Sequence, residues 1–199
     1  MPAGPWIVWV LSTEIEAARY YAELSKDYTL RKLEQQRSRF ADGLRLSNIV
    51  NGHAARLVVA RVLRDQGISN VCDDSPHTET KRFCIQTAAG WLVQTRFVGN
   101  QKNYLYLFED VGSFERRPHH FYVALTSRDD LSTMEMLGYA TSDEMAQREA
   151  CDFGQQVANR YTPLSDLHPF EDLVSLVRST PVGDKLRPHH DAGAPRTGL

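Results

Sequence analysis

The chain has 199 residues, with 23 lysines and arginines against 25 aspartates and glutamates, so its formal net charge at pH 7 is −2. This length fits one domain that buries about seventy per cent of the surface of its extended chain. The near-balanced charge and the hydrophobic content of 42% are typical of an ordinary soluble globular protein.

Neither a membrane span nor an export signal is predicted. The sequence contains no run of eighteen apolar residues, and the apolar run near its start has no basic flank. Three cysteines, Cys72, Cys84 and Cys151, are far apart and include no Cys-x-x-Cys pair, which argues against a disulfide framework and a zinc site. These features predict a cytoplasmic protein with reduced thiols.

Basic residues are concentrated in one stretch of the chain. Residues 31–66 carry eight lysines and arginines against three acids, whereas the remainder after them carries thirteen against eighteen. Such asymmetry favours nucleic acid or an acidic partner. The asymmetry is explained equally simply if these basic residues lie on a solvated helix face and pair with acids in the rest of the chain.

The first fifty residues are predicted to form a strand at 6–11, a helix at about 13–24 and a second helix at about 30–40. Tyr20, Tyr21 and Leu24 are predicted to form the buried stripe of the first helix. Apolar spacing then predicts a helix over 52–66, ended by Gly67, and a short strand near 69–72.

A hairpin follows in the sequence FCIQTAAGWLVQTRFVG. Its strands are predicted as Phe83–Thr87 and Trp91–Val98, around a small-residue turn that ends in Gly90. Further strands are predicted at 104–108, 121–126 and 134–139. Thr141 and Glu144 form a capping box for a helix over 142–153. A short segment at Tyr161, a helix at about 171–178 and a disordered tail from residue 180 complete the pattern.

Taken together, these segments resemble the PD-(D/E)XK nucleases, which have a restriction-endonuclease-like fold. The likeness extends over roughly 51–177 and rests on the order of four features. They are the helix NGHAARLVVARVLRDQG, the hairpin, the stretch HFYVALTSRDDLSTMEMLGYATSDEM, and the closing segments RYTPL and LHP. The resemblance implies an α/β (α+β) domain with a central mixed β-sheet flanked by helices.

The positions that carry nuclease chemistry in this family are altered here. In the family an Asp ends one hairpin strand and a Glu-x-Lys triplet lies on the next, and these positions correspond to Cys84, Leu92 and Gln94. Arg56 stands where the leading helix often supplies another acid. Magnesium needs hard oxygen ligands, and these side chains provide no carboxylate. The resemblance therefore implies a degenerate site with no catalytic residue and no metal, and the chain is predicted to be noncatalytic.

Two other groups of residues lie beside the hairpin. Phosphate contacts are predicted from four basic side chains, although Arg96 equally fits a partly buried residue that extends to the surface. A displaced metal site for an active endonuclease is the rival interpretation, although Asp-Asp-Ser-Pro is also typical of a turn. The predicted phosphate contacts are Lys81, Arg82, Arg96 and Lys102, and the rival acids are Asp73, Asp74 and Glu79.

The sequence thus predicts three segments: N-terminal elements over 1–50 packed on the core, a nuclease-like core over 51–179, and a tail over 180–199. The predicted function is a catalytically inactive nuclease-like domain that binds DNA or scaffolds a partner in a restriction, anti-phage defence or DNA-processing assembly. The alternatives are an active endonuclease, which alone would need Mg²⁺, and a protein–protein adaptor that never meets nucleic acid. No membrane partner is expected, and a homodimer is left open.

Overall fold

In the computed structural model, the residues described are 6–35, 46–73, 84–98, 105–116, 119–127, 131–152 and 157–180. They form a mixed α/β fold, as the sequence predicts. Across these ranges, no helix combines the length and the hydropathy needed to cross a bilayer.

Strands and helices alternate irregularly along the chain. Their bounds are β1 (Trp6–Trp9), α1 (Ser12–Gln35), α2 (Leu46–Asp65), β2 (Asn70–Cys72), β3 (Ile85–Thr87), β4 (Leu92–Phe97), β5 (Tyr106–Asp110), α3 (Val111–Arg116), β6 (Phe121–Ser127), β7 (Thr133–Thr141), α4 (Ser142–Gln147), β8 (Asn159–Pro163), a 3-10 turn (Leu164–Asp166) and α5 (Phe170–Ser179).

The described strands form one large and one small sheet. The large sheet has six strands in the order β1-β7-β6-β4-β3-β2, and the small sheet pairs β5 with β8. Only β4 and β6 run parallel in the large sheet, and its other neighbours are antiparallel. The connection between β4 and β6 contains β5 and α3, because parallel neighbours cannot be joined by a tight turn.

Each face of the large sheet has its own buried apolar cluster. Alternate β4 residues point to opposite faces, so Val93 belongs to a helix-side cluster together with Leu63 of α2 and Phe170 of α5. On the other face, Tyr122 packs with Phe114 and other apolar residues from the layer of β5, α3 and α4. The layer of β5, α3 and α4 also places polar side chains against this face of the sheet.

The predicted hairpin is confirmed. Strands β3 and β4 pair antiparallel, with Ile85 opposite Val93. The turn residue Gly90 has a φ of +94°, a region that glycine enters without a side-chain clash, and its N–H donates to the Thr87 carbonyl at 2.9 Å. The predicted helix over 52–66 is also confirmed and packs on β4, although it begins earlier, at Leu46.

The prediction of two separate N-terminal helices is wrong, because α1 runs unbroken from Ser12 to Gln35. That stretch contains no glycine or proline to end the helix. The predicted stripe is also wrong: Tyr20 is 62% and Leu24 51% exposed, while the buried positions among the described side chains of α1 are Glu14 and three small residues. The small side chains of Ala18, Ala22 and Ser25 let α1 approach α2 closely.

The capping box of Thr141 and Glu144 is confirmed, but α4 ends at Gln147, well before residue 153. The Arg160 guanidinium donates to the carbonyls of Ala146 and Arg148 at 3.3 and 2.8 Å. These bonds satisfy carbonyls at the end of the helix and turn the chain toward β8. Sequence spacing did not predict this, because the stabilising arginine lies twelve or more residues away.

Long-range pairing joins the predicted N-terminal segment to the core. Strand β1 pairs with β7, and the predicted boundary at 50/51 falls inside α2. Of the predicted tail, Thr180 is described and the remainder lies outside the described residues.

Candidate functional site

Arg56 lies inside the fold and joins the first two helices. Only 3% of its surface is exposed, and its Nη2 donates to His53 Nδ1 at 2.8 Å. Since a guanidinium only donates, Nδ1 accepts and the proton of the neutral ring is on Nε2. His53 Nε2 therefore donates to Ser25 Oγ, 3.1 Å away, which in turn donates to the Tyr21 carbonyl. This relay links α2 to α1.

Cys84 is also buried on the helix side of the sheet. Its Sγ lies 3.4 Å from Thr95 Oγ1, and 5% of the residue is exposed. A side chain buried in this way is out of reach of a substrate in solution.

Leu92 and Gln94 are held by different neighbours. The Leu92 N–H donates to His120 Nδ1 at 3.0 Å, and its carbonyl accepts from the His120 N–H. Gln94 points to the face opposite the helices, where its Nε2 lies 3.5 Å from Glu109 Oε2. Cys84 thus packs in the helix-side cluster, whereas Gln94 contacts Glu109 on the other face.

A polar cluster lies between the two sheets instead, and we call it the β4–β5 cluster. At its centre, the Arg96 guanidinium forms an ion pair with Glu109. The Glu109 side chain is 3% exposed, whereas that of Arg96 is 35% exposed and reaches solvent. The members of the cluster are Gln94, Arg96, Glu109, Asp110 and Tyr122.

The cluster contains one cation, Arg96, and two carboxylates, Glu109 and Asp110. Burial lowers the pKa of the Arg96 guanidinium, while the nearby Asp110 and Tyr122 act to raise it. Burial also raises the pKa of the Tyr122 hydroxyl to about 12, so this group is neutral at pH 7. Asp110 has a further role, because its Oδ1 accepts the Ser113 N–H at 2.8 Å and caps the start of α3. The cluster can bind and orient charged groups, and its carboxylate at Glu109 is already neutralised.

Sequence reasoning missed Glu109, although the pattern contained a signal for it. In β5 the buried positions alternate, so Glu109 shares a face with the fully buried Leu107. An acid on a buried face requires a partner of opposite charge. Arg96 on β4 was the matching cation, but only the folded structure shows that β5 brings Glu109 to β4.

Most predicted phosphate contacts and rival acids fall outside the described residues, namely Lys81, Arg82, Lys102, Asp74 and Glu79. Asp73 is described, and its N–H donates to the Cys84 carbonyl at 3.0 Å. Among the residues with a described position, no three His, Cys, Asp or Glu side chains form a group suited to a metal ion.

A second polar constellation forms where two distant sequence segments meet. Tyr139 and His168 pair through two backbone hydrogen bonds of 2.9 Å, alongside β7 beyond the end of β1. This pairing places His168 Nε2 at 2.6 Å from Glu144 Oε1, while Glu144 Oε2 accepts the N–H and hydroxyl of Thr141. The constellation therefore links the capping box of Thr141 and Glu144 to the segment around His168.

An open depression of about 310 Å³ lies beside this constellation. It is lined by charged side chains that are already paired, as in the contact of Arg148 Nη2 with Asp166 Oδ2 at 2.7 Å. Glu144 also lines it and is held by His168. Since these charges are satisfied within the fold, we assign the constellation a structural role.

Replacing Glu144 with glutamine should lower the free energy of unfolding by about 1 kcal/mol at pH 7. Partial burial raises the pKa of this carboxyl, but hydrogen bonds from His168 and Thr141 outweigh burial and lower it from 4.5. A lowered pKa stabilises the fold above its ordinary value and loses that contribution as the pH falls through the folded value. Urea unfolding at pH 7 and in acid should show the difference between parent and variant shrinking.

The matched control for Glu144→Gln is Asp143→Asn, since Asp143 is an exposed acid in the same first turn of α4. Asp143→Asn should change stability by less than about 0.5 kcal/mol. If both variants behaved alike at both pH values, the contact of Glu144 with His168 would not stabilise the fold.

No protein-family model matches this chain, and no curated protein matches it. The likeness to PD-(D/E)XK nucleases is therefore carried by the sequence motifs alone. Those motifs and the contacts of the family-aligned side chains are the basis for assigning a function.

Proposed function

We propose that the chain is a noncatalytic nuclease-like domain that binds DNA within a restriction, defence or DNA-processing assembly. One observation carries the proposal: the polar side chains at the family-aligned positions are bonded within the fold. Arg56 contacts His53, Cys84 contacts Thr95, and Gln94 contacts Glu109. Such positions stabilise structure where an active enzyme would bind metal.

The order of elements supports the same proposal. A long helix precedes a three-stranded meander, and β6 then adds parallel to β4. The capped helix α4 and the segment around His168 follow, in the order of the motifs on which the resemblance rests. This agreement in order supports the proposal, and the family likeness itself rests on the sequence motifs.

Metal-dependent hydrolysis would require a ligand set that the aligned side chains do not provide. Magnesium binds carboxylate and carbonyl oxygens, and hydrolysis also gains from a cation beside the reacting phosphate. Glu109 is a carboxylate near the aligned strand, but Arg96 neutralises it. Binding without cleavage is the activity that this arrangement favours.

Arg96 is the one predicted phosphate contact that lies within the described residues. The buried Glu109 fixes its orientation, and its side chain is 35% exposed although Nε is buried, so we propose that it contributes one phosphate contact. Glu109 and Asp110 reduce the local positive potential, so this contact orients DNA rather than dominating affinity. Most of the charge would come from Lys81, Arg82 and Lys102 and from the basic stretch 31–66 apart from Arg56, which is buried.

Two variants of the ion pair test the proposal. Glu109→Gln keeps Arg96 and removes the competing carboxylate, so DNA affinity should rise. Arg96→Gln combined with Glu109→Gln removes the cation, so affinity should fall below the parent on all sequences. The slope of log affinity against log salt should decrease in magnitude by about one in the double variant relative to Glu109→Gln. Mobility shifts at several salt concentrations measure these differences.

Opposite results would overturn the proposal. DNA cleavage with Mg²⁺ or Mn²⁺ that Asp74→Ala abolishes would support an active endonuclease with displaced acids. Absence of any shift at low salt, together with co-purification of a second protein, would support the adaptor. The proposal assigns the chain to the cytoplasm, where its three free cysteines stay reduced.

A further inference from the structure

Strand β1 forms one edge of the large sheet and exposes large apolar side chains. Trp6 and Val8 pack toward the helix-side core, whereas Ile7 is 57% and Trp9 73% exposed on the other face. Exposed tryptophan and isoleucine on a sheet edge mark an interaction surface or an aggregation hazard.

The hydrogen bonds of β1 determine which of its backbone groups are available. Val10 donates to the Ser132 carbonyl at 2.9 Å, so Val10 and, by alternation, Val8 point their backbone groups toward β7. The N–H and carbonyl of Ile7 and Trp9 consequently point outward, away from the sheet. Arg61 Nη2 donates to the Trp9 carbonyl at 2.6 Å, which agrees with this direction and uses one of the two lone pairs of that oxygen.

We propose that this edge pairs antiparallel with β1 of a second copy of the chain, with Ile7 opposite the second copy's Trp9. A two-fold axis beside Val8 then creates two equivalent pairs and four backbone hydrogen bonds. Each exposed Trp9 ring lies beside an exposed isoleucine, an aromatic and β-branched combination that stabilises neighbouring strands.

The two neighbouring symmetric registers would each need a backbone N–H that is missing or already bonded. Pairing Ile7 with itself places Trp9 opposite Pro5, which has no N–H. Pairing Trp9 with itself places Ile7 opposite Leu11, whose N–H already donates to Glu14 Oε2 at 2.9 Å. The available edge is therefore limited to the three residues 7–9, and an antiparallel copy with the same limits matches it.

The proposed dimer interface is small, and its area indicates how tightly the two copies should bind. Two pairs of exposed side chains and two short backbone edges bury on the order of 600 Å² in total, against about 1,200 Å² for a stable interface. We therefore expect a weak dimer that forms as concentration rises.

Sedimentation equilibrium of the full chain between about 10 and 500 µM tests the proposal, a range suited to weak association. The parent's average mass should increase toward the dimer, whereas Ile7→Lys with Trp9→Lys should remain monomeric. Val71→Lys is the matched control, because Val71 is 63% exposed on β2 at the opposite edge of the same sheet. This control should associate like the parent.

Ile7→Pro tests the backbone pairing. It removes the outward N–H of Ile7 together with its side chain and leaves the bonds to β7 intact, so the variant should fold and remain monomeric. Unfolding curves of each variant check the fold. A parent that stays monomeric throughout, association that survives Ile7→Pro, or loss of association in Val71→Lys alone would overturn the proposal.

Discussion

Arg96→Ala should lower the free energy of unfolding by about 3 kcal/mol at pH 7. The substitution leaves the Glu109 carboxylate, which is 3% exposed, without its cation. Losing one member of a buried ion pair costs roughly 3–5 kcal/mol, and the lower end applies because the Arg96 side chain is itself 35% exposed. Urea unfolding at pH 7 measures the difference.

Unfolding at low pH and a double variant distinguish the loss of the ion pair from a simple loss of packing. An unpaired buried Glu109 has a raised pKa in the folded state, so the missing stability returns as the pH falls and the carboxylate is protonated. Arg96→Gln with Glu109→Gln removes both charges and should cost less than Arg96→Ala. A loss that is independent of pH and equal in both variants would contradict the ion pair's role.

Gly138→Ala should lower the free energy of unfolding by about 2–4 kcal/mol. A Cβ at this position would lie 2.4 Å from the His168 carbonyl oxygen and 2.9 Å from Leu167 Cβ. The residue also has a φ of +137°, a region that side chains rarely enter. Relief of the clash would move the segment that pairs with Tyr139 and contacts Glu144, so thermal and urea unfolding should both detect the change.

Two other glycines provide controls for Gly138→Ala. Gly67 has a φ of +79°, but a Cβ added there would meet nothing within 4 Å, so Gly67→Ala should cost only about 1–2 kcal/mol of backbone strain. Gly52 lies inside α2 in open space, and Gly52→Ala should stabilise the fold by about 0.5–1 kcal/mol. If Gly138→Ala cost no more than Gly67→Ala, the close packing of the closing segment on β7 would be contradicted.

Local patterns in the sequence predicted several elements correctly. The hairpin of β3 and β4 follows from β-branched runs around Gly90, and the helix α2 follows from regularly spaced valine and alanine. The capping box of Thr141 and Glu144 depends on residues three positions apart, so sequence spacing was sufficient to predict it.

Contacts between distant segments were not visible in those patterns. The ion pair of Arg96 and Glu109 requires β5 to bring Glu109 to β4, and nothing local to either residue specifies that contact. The relay from Arg56 through His53 depends on Ser25 of another helix. A polar residue in isolation looks the same whether it binds a ligand or a neighbour within the fold.

The sequence by itself therefore determined the hairpin, the helix α2, the capping box of α4 and the mixed α/β class. Only the tertiary structure decided what the buried polar side chains contact, that Arg96 is partly neutralised, and that Ile7 and Trp9 lie exposed on an edge. The physical reason is the separation along the sequence over which each interaction acts. Helix propensity and capping act within a few residues, whereas ion pairing and burial depend on which segments the sheet brings together.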